Sequence, residues 1–175
     1  MYDYVFPCGG PEGIPAKIKS ITRYQIALLR ASLDIKYPKP KPPIEDTDLG
    51  PVENPMNPEY IDAVKAWNQG QNDKLNIVTL HACVGIDDSI ISASLKKLDD
   101  QVAETRQFME AIGLPSVDET PYERDVFSVD NSSLVRFLYL VVAGSEYRNL
   151  VQVMAIIAQS LESREVAQAA AAATF

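Results

Sequence analysis

The sequence predicts a mostly α-helical protein: a bundle of about five helices with a small N-terminal β-hairpin and a proline-rich extended arm. Ten of the twelve prolines fall within the first 58 residues, and seven of these lie between Pro38 and Pro58. Downstream of them, apolar residues recur at helical spacing through long segments. With 175 residues, 46% of them hydrophobic, the chain is long enough to bury a core without a disulfide or a structural metal.

The N-terminal segment is predicted to be a β-hairpin followed by a helix. Tyr2–Phe6 alternates aromatic and polar residues, and Ile14–Ile18 returns as a second strand after a turn rich in proline and glycine. Because a lone hairpin is marginally stable, it should pack on a helix. The first helix is expected from Thr22, the N-cap, to about Asp34. Its buried face is predicted to be Ile26, Leu29 and Leu33.

The proline-rich arm is predicted over residues 36–57. Its first part has the composition of a polyproline II segment, and its acidic part, residues 45–53, contains a turn at Gly50-Pro51. Proline removes a backbone donor and fixes φ, so the arm cannot continue a helix. It separates residues 1–35 from a helical body at 58–175, and both are expected to belong to one globular domain.

The first two helices of the body have clear end signals. Asn57 is the expected N-cap of a helix that runs to about Val84, with Gly85 after its end and Gly70 as a weak point. The next helix is expected to begin at Asp87 or Asp88 and to end at residues 113–115. Its apolar seam is predicted to be Ile91, Leu95, Leu98, Val102, Met109 and Ile112.

The C-terminal third predicts three more helical segments. A short helix is expected from Pro121, capped by Thr120, through Phe127. Asn131 or Ser132 caps the next, and its 134–142 run is apolar nearly all round, which predicts a central position in the core. Ser145 caps the last helix, and the Ala-rich residues 165–175 either extend it or hang free. Its core face is predicted to be Leu150, Val153 or Met154, Ile157 and Leu161.

The charge and cysteine content exclude several classes of protein. A net charge of −8 and a pI near 4.6 argue against binding nucleic acid or an anionic membrane. The longest apolar runs are shorter than a membrane span, and the N-terminus has no signal-peptide pattern, so a cytoplasmic location is expected. Cys8 and Cys83 have no metal-binding spacing; two free, buried thiols are the favoured prediction, and a disulfide between them is the alternative.

No residue cluster predicts catalysis, a metal site or a cofactor site. His81 and Cys83 are two positions apart on a helix, roughly 200° around its axis, so they cannot pair, and a core histidine is the favoured interpretation. Asp87-Asp88 is explained as a helix cap and first turn, and Asp99-Asp100 as a solvated helix face. The glycine-rich residues 8–13 lack a phosphate-loop Lys and Ser/Thr and are interpreted as a hairpin turn.

Two features could contact another protein. The segment with Pro40, Pro42 and Pro43 has a PxxP-like pattern that fits an aromatic groove, although a stiff spacer is the favoured interpretation. Tyr60 and Trp67 share a helix face and are most simply core anchors. Long helices, an extended arm and no catalytic cluster together favour a protein built to contact other proteins.

The linear order of these segments resembles small acidic proteins encoded in the tail-gene region of long-tailed bacteriophages, which look like tail assembly chaperones. The resemblance covers roughly residues 2–113 and is densest from Pro40 to Gly85. The segments that carry it, after the short β segment, are ITRYQIALL (21–29), PKPP (40–43), ENPMNPEY (53–60), Ala66-Trp67 and Val84-Gly85-Ile86.

This resemblance implies a non-enzymatic helical protein without a cofactor, acting in the cytoplasm of the bacterial host. Its implied partners are phage tail proteins, either the tape-measure protein or tail tube subunits, and it could form a homo-oligomer. The expected contact surfaces are the arm, with Pro40, Pro42 and Pro43, and the helix face with Tyr60 and Trp67. Two alternatives remain: a structural neck, connector or tail subunit of the virion, and a phage inhibitor of a host defence protein.

Overall fold

The computed structural model describes residues 1–8, 11–48, 50–115, 121–145, 148 and 150–159, and helices dominate this part of the chain, as the predicted fold class requires. The strands are β1 (Tyr2–Phe6), β2 (Ile14–Ile18), β3 (Ile44–Thr47), β4 (Gly50–Glu53) and β5 (Val84–Gly85). The α-helices are α1 (Arg23–Lys36), α2 (Pro58–Cys83), α3 (Asp88–Ala111), α4 (Pro121–Val129), α5 (Ser133–Arg136) and α6 (Ala143–Ser145), with a π-helical segment at Phe137–Val142 between the last two and further helix at 150–159.

The N-terminal hairpin is confirmed, and β5 extends it to a three-stranded antiparallel sheet in the order β1-β2-β5. Ile14, Ala16 and Ile18 alternate inward along β2 and are buried. β5 pairs Val84 with Ile18, so Gly85 is a strand residue and not the helix-terminating glycine that the sequence predicts. Strand pairing of Val84 and Gly85 is favoured over a helix-terminating turn because it buries Val84 against the sheet.

The ends of the main helices follow local chemistry. Thr22 accepts a hydrogen bond from the Gln25 amide while the Gln25 side chain bonds the Thr22 amide, which forms a capping box for α1. Asn57 and Asp87 cap α2 and α3 as predicted. α2 is continuous through Gly70, so the expected weak point does not interrupt the helix.

The arm contains a β-hairpin that the sequence analysis missed. β3 and β4 pair antiparallel with Thr47 opposite Gly50, and Thr47 Oγ1 donates a hydrogen bond of 2.7 Å to the Gly50 carbonyl. The predicted turn at Gly50-Pro51 is therefore wrong, because both residues belong to β4. Pro51 is tolerated there because each strand of a two-stranded sheet has an edge where an N–H is not needed.

A main hydrophobic core joins the N-terminal sheet to the helices. It contains Phe6 and Ile18 from the sheet, Leu80 from α2, Ile91 from α3 and the fully buried Phe137. The prediction that residues 134–142 lie at the centre of the core is confirmed, although the run adopts π-helical hydrogen bonding. Leu150, Val153 and Ile157 are buried as predicted. The predicted roles of Thr120, Leu161 and residues 165–175 lie outside the described residues.

Candidate protein-binding surfaces

The outer face of α1 carries an apolar stripe in addition to its buried face. Leu33 is buried and Ile26 and Leu29 pack on the core, whereas Tyr24 is 72% exposed and Ile35 is 84% exposed. At 100° per residue, the exposed large side chains fall within about 40° of one another around the helix, opposite Leu33. We call this exposed face, together with the two alanines on it, the α1 stripe. It consists of Tyr24, Ala27, Leu28, Ala31 and Ile35, all of them exposed.

The α1 stripe lies in a basic part of an acidic chain. Residues 15–43 contain seven lysines and arginines and one acid, Asp34, whereas the whole chain has a net charge of −8. All seven basic side chains are exposed: Lys17, Lys19, Arg23, Arg30, Lys36, Lys39 and Lys41. The sequence analysis used only the net charge of the chain and missed this segregation, although a charge count over the segment would have revealed it.

The C-terminal part of α3 is exposed over most of its surface. The 24-residue helix is about 36 Å long, and it contacts the π-helical segment and α5, with Ile91 as its buried residue. Of residues 99–114, which we call the α3 tip, only Arg106 and Met109 are partly buried and the rest are exposed. The tip carries Asp99, Asp100, Glu104 and Glu110 against the single base Arg106.

The apolar seam predicted for α3 packs only over its first half. Ile91 and Leu95 contact the core, but Val102 is exposed and Ile112 is 53% exposed. Phe108, beside the seam, is 64% exposed. Beyond Leu98, the predicted seam residues Val102 and Ile112 are exposed and Met109 is partly buried, so the seam is not continuous core along the whole helix. The spacing from residue 91 to 112 matches the heptad positions of a coiled coil.

The predicted arm contacts are only partly accessible. Pro40, Pro42 and Pro43 are each half-buried, and the Pro43 carbonyl accepts a 2.9 Å hydrogen bond from the Asn54 amide. This bond closes the arm across the β3–β4 hairpin, whose side chains are exposed on both faces except for the half-buried Gly50.

Tyr60 and Trp67 are half-buried, and Trp67 has a structural partner. Its Nε1 donates a 2.9 Å hydrogen bond to the Tyr37 carbonyl at the end of α1. Gln71 Nε2 donates to the same oxygen at 2.9 Å and to Asp34 Oδ1 at 3.1 Å. Trp67 therefore fastens α2 to the C-terminus of α1, in keeping with the anchor interpretation.

His81 is an exposed partner of Asp130, so the predicted core histidine is wrong. Its Nδ1 forms a hydrogen bond with Asp130 Oδ2 where the α4–α5 connection passes the end of α2, and 48% of its side chain is exposed. Burial raises the pKa of Asp130, but hydrogen bonds from His81 and from the amide and hydroxyl of Ser132 outweigh it and lower the pKa below its ordinary value. Among the described residues, His81 has no second hydrogen-bond partner that would complete a nucleophilic triad.

The remaining polar candidates serve local structure. Cys8 and Cys83 are buried and not joined in a disulfide, as predicted. Burial raises the pKa of Cys83, more than nearby Lys19 lowers it, so the thiol is protonated and a poor nucleophile at neutral pH. Hydrogen bonds from the hydroxyl and amide of Ser89 lower the pKa of Asp87, which caps α3.

A cleft of about 540 Å³ lies between α2, α4 and the π-helical segment. Asp73, Lys74 and Asp125 are among its polar lining, and Tyr139 and Ile77 among its apolar lining. The Lys74 ammonium bonds the Gly70 carbonyl at 3.2 Å and lies 4.9 Å from the centre of the Tyr37 ring, so its charge is already engaged. The cleft has the size of a small-molecule site but no convergent reactive groups.

Within the described ranges, no cluster of three or more His, Cys, Asp or Glu could hold a metal ion. None of the described helices combines the length and the apolar character needed to cross a membrane. Comparisons with protein-family models, curated proteins and solved structures gave no match to this chain. The α1 stripe and the α3 tip are therefore the features on which a functional argument can be built.

Proposed function

We propose that this protein is a non-enzymatic assembly protein that binds a helical partner through the α3 tip. The particular form we propose is a phage tail assembly chaperone that acts in the host cytoplasm. Its proposed partner is the tape-measure protein, and a tail tube subunit is the alternative partner. The observation that supports a binding role is the exposure of the seam residues Val102 and Ile112 of α3, together with the exposed Phe108 beside them.

The physical argument concerns the cost of exposed apolar surface. Burying a Phe or Ile side chain completely is worth about 1.5–3 kcal/mol, so a helix that leaves both in water gains from a partner that covers them. A heptad seam is covered best by another helix, whose side chains insert between its own. Long, mainly helical proteins expose such complementary seams before they assemble, which is the state that a chaperone must hold.

A co-expression experiment tests the proposal. The chain and a phage tape-measure protein are produced together, and the complex is captured on a tag carried by this chain. Phe108→Glu with Ile112→Glu should reduce capture about tenfold or more, because two charges replace the apolar contact. The matched control is Val52→Glu, an exposed apolar residue on the hairpin, which should leave capture unchanged.

Two results would contradict the proposal. Equal capture by the Phe108→Glu, Ile112→Glu variant, with a circular dichroism spectrum identical to that of the wild type, would remove the α3 tip from the interface. Stoichiometric presence of the chain in purified mature particles would favour a structural virion subunit, since a chaperone is released before the particle is complete.

A further inference from the structure

We infer that the protein also binds a second copy of itself, with the α3 tip of one copy lying on the α1 stripe of the next. The two surfaces are the large exposed apolar helix faces of the described chain, and they differ in charge. This inference goes beyond the proposed function and does not depend on the identity of any tail partner.

Charge complementarity is the first argument for a second copy as the occupant. The α1 stripe is flanked by Arg23, Arg30 and the single acid Asp34 on one side and by Lys36 on the other, and the Asp34 carboxylate accepts a hydrogen bond from Gln71. On the α3 tip, Glu104 lies on one flank of the exposed seam, and Asp99, Glu110 and the single base Arg106 lie on the other, so the tip carries a net negative charge. Two stripes of like charge would repel, so α1 against α1 and tip against tip are both disfavoured. A basic stripe against an acidic tip is favoured.

The dimensions of the two surfaces also agree. From Tyr24 to Ile35 the α1 stripe is about 17 Å long, and from Val102 to Ile112 the tip is about 15 Å long. A groove of about 310 Å³ lies beside the stripe. It is lined by Leu28 and two other residues of α1, by residues 19–21 between β2 and α1, and by Ala82 and Cys83 at the end of α2. A groove of this size accepts an aromatic side chain, and the tip offers Phe108, 64% exposed, as the anchor.

An interface between two different patches has a consequence for assembly. A pair of copies leaves one stripe unused on one copy and one tip unused on the other, so the association is heterologous and produces either a closed ring or an open filament. Because the tip is also the helix proposed to bind the tape-measure protein, self-association and partner binding compete. Addition of the partner should therefore dissociate the self-assembled form.

Complementary variants give a decisive test by sedimentation velocity over a wide range of concentration. The wild type should associate as concentration rises, and added salt should weaken the association because screened charges contribute to it. Leu28→Glu blocks the stripe and Phe108→Glu blocks the tip, and each variant alone should be monomeric. An equimolar mixture should form a heterodimer and no larger species, since one intact stripe then meets one intact tip. Val52→Glu should associate like the wild type.

Each other outcome overturns the inference. A wild type that stays monomeric at all concentrations excludes the interface, and self-association of either Glu variant alone indicates a symmetric contact between like surfaces. A mixture that remains monomeric excludes pairing of stripe with tip. The wild type could instead stay monomeric and co-sediment with vesicles of phosphatidylcholine and phosphatidylglycerol. If the Leu28→Glu variant no longer co-sediments with them, the basic stripe binds an anionic lipid surface and not a second copy.

Discussion

At the scale of single residues, one backbone oxygen determines what Trp67 does. The Tyr37 carbonyl lies at the end of α1, where helix carbonyls lack an intrahelical donor, and it accepts hydrogen bonds from both Trp67 and Gln71. Both donors come from α2, so they join the two helices at this point. An indole used in this way contributes to the fold, whether or not its remaining exposed edge contacts a partner.

Trp67→Phe should lower the free energy of unfolding by about 1 kcal/mol, because it removes the indole donor while it keeps an aromatic ring in place. Urea denaturation followed by far-UV circular dichroism measures the change. Tyr60→Phe is the control, because it removes a hydroxyl from the same helix face and should be nearly neutral. Loss of partner capture by Trp67→Phe at unchanged stability would instead identify a binding residue.

Asp130→Asn tests the exposed pair with His81 through pH. The folded state lowers the pKa of Asp130 below 3.8, so its ionised form stabilises the fold. That contribution is complete above the ordinary carboxyl pKa and is lost as pH falls through the lowered value. The wild type should therefore lose stability more steeply than the variant below about pH 4, and at pH 7 the variant should be about 1 kcal/mol less stable.

Denaturant midpoints measured from pH 7 to pH 2.5 would resolve this difference. Asp99→Asn, a change at an exposed carboxylate of α3, should leave the curve close to that of the wild type. A pH profile of Asp130→Asn that coincides with the wild-type profile would mean that the pair contributes nothing to stability.

At the scale of elements, local chemistry made some features predictable and tertiary contacts hid others. Thr22, Asn57 and Asp87 cap helices through side-chain bonds to amides two or three residues away, so their roles can be read from neighbouring sequence. β5 is two residues long and exists only because β2 lies beside it, which no local pattern encodes. The π-helical hydrogen bonding of Phe137–Val142 is likewise absent from the apolar pattern of that run.

In the candidate binding surfaces, too, local sequence predicts some features and tertiary contacts determine others. An apolar residue at helical spacing predicts a buried face, but whether another element covers it depends on where the chain places that element. Val102 and Ile112 continue the seam of Leu95, with Thr105 at one position between them, yet both are exposed whereas Leu95 packs on the core. The sequence therefore predicts the seam and not its exposure.

The turn of the β1–β2 hairpin allows a matched pair of glycine substitutions. Gly13 has φ of +68°, and a Cβ there would lie 2.6 Å from the Phe6 carbonyl oxygen and 2.5 Å from Val5 Cγ1. Gly113, after α3, has φ of +75° with no heavy atom within 4 Å of an added Cβ. Gly113→Ala should cost about 1 kcal/mol from the left-handed conformation alone, and Gly13→Ala at least about 1–2 kcal/mol more.

Thermal and urea unfolding of the two variants compare these costs directly. The difference between them isolates the steric clash, since both substitutions add the same methyl group to the same backbone conformation. Equal destabilisation would mean that the hairpin turn relaxes around the new Cβ and does not constrain the sheet.

At the scale of the whole molecule, the main core joins residues that are distant in the sequence. Phe6 and Phe137 are both fully buried in one cluster that also includes Ile157. The Tyr4 hydroxyl donates a 3.0 Å hydrogen bond to Gln152 Oε1, so the first strand also contacts the helix at 150–159. A second, smaller cluster of Ile77, Val126 and Val135 joins α2 to α4 and α5. Because both clusters draw on several elements, the sheet and helices should unfold together.

Phe6→Ala tests this cooperativity. Removing a fully buried phenyl ring should cost about 3–5 kcal/mol, from lost transfer free energy and from the cavity that remains. Trp67 reports on the α1–α2 contact, away from the substitution, while far-UV circular dichroism reports on all helices. If the molecule is one cooperative unit, both signals shift to the same lower urea midpoint in Phe6→Ala.

The control is Val5→Ala, at an exposed neighbour in β1, which should change the free energy of unfolding measured by either signal by no more than about 0.5 kcal/mol. A Trp67 transition that keeps its wild-type midpoint while the dichroism transition broadens would instead mean that α1 and α2 unfold independently of the N-terminal sheet.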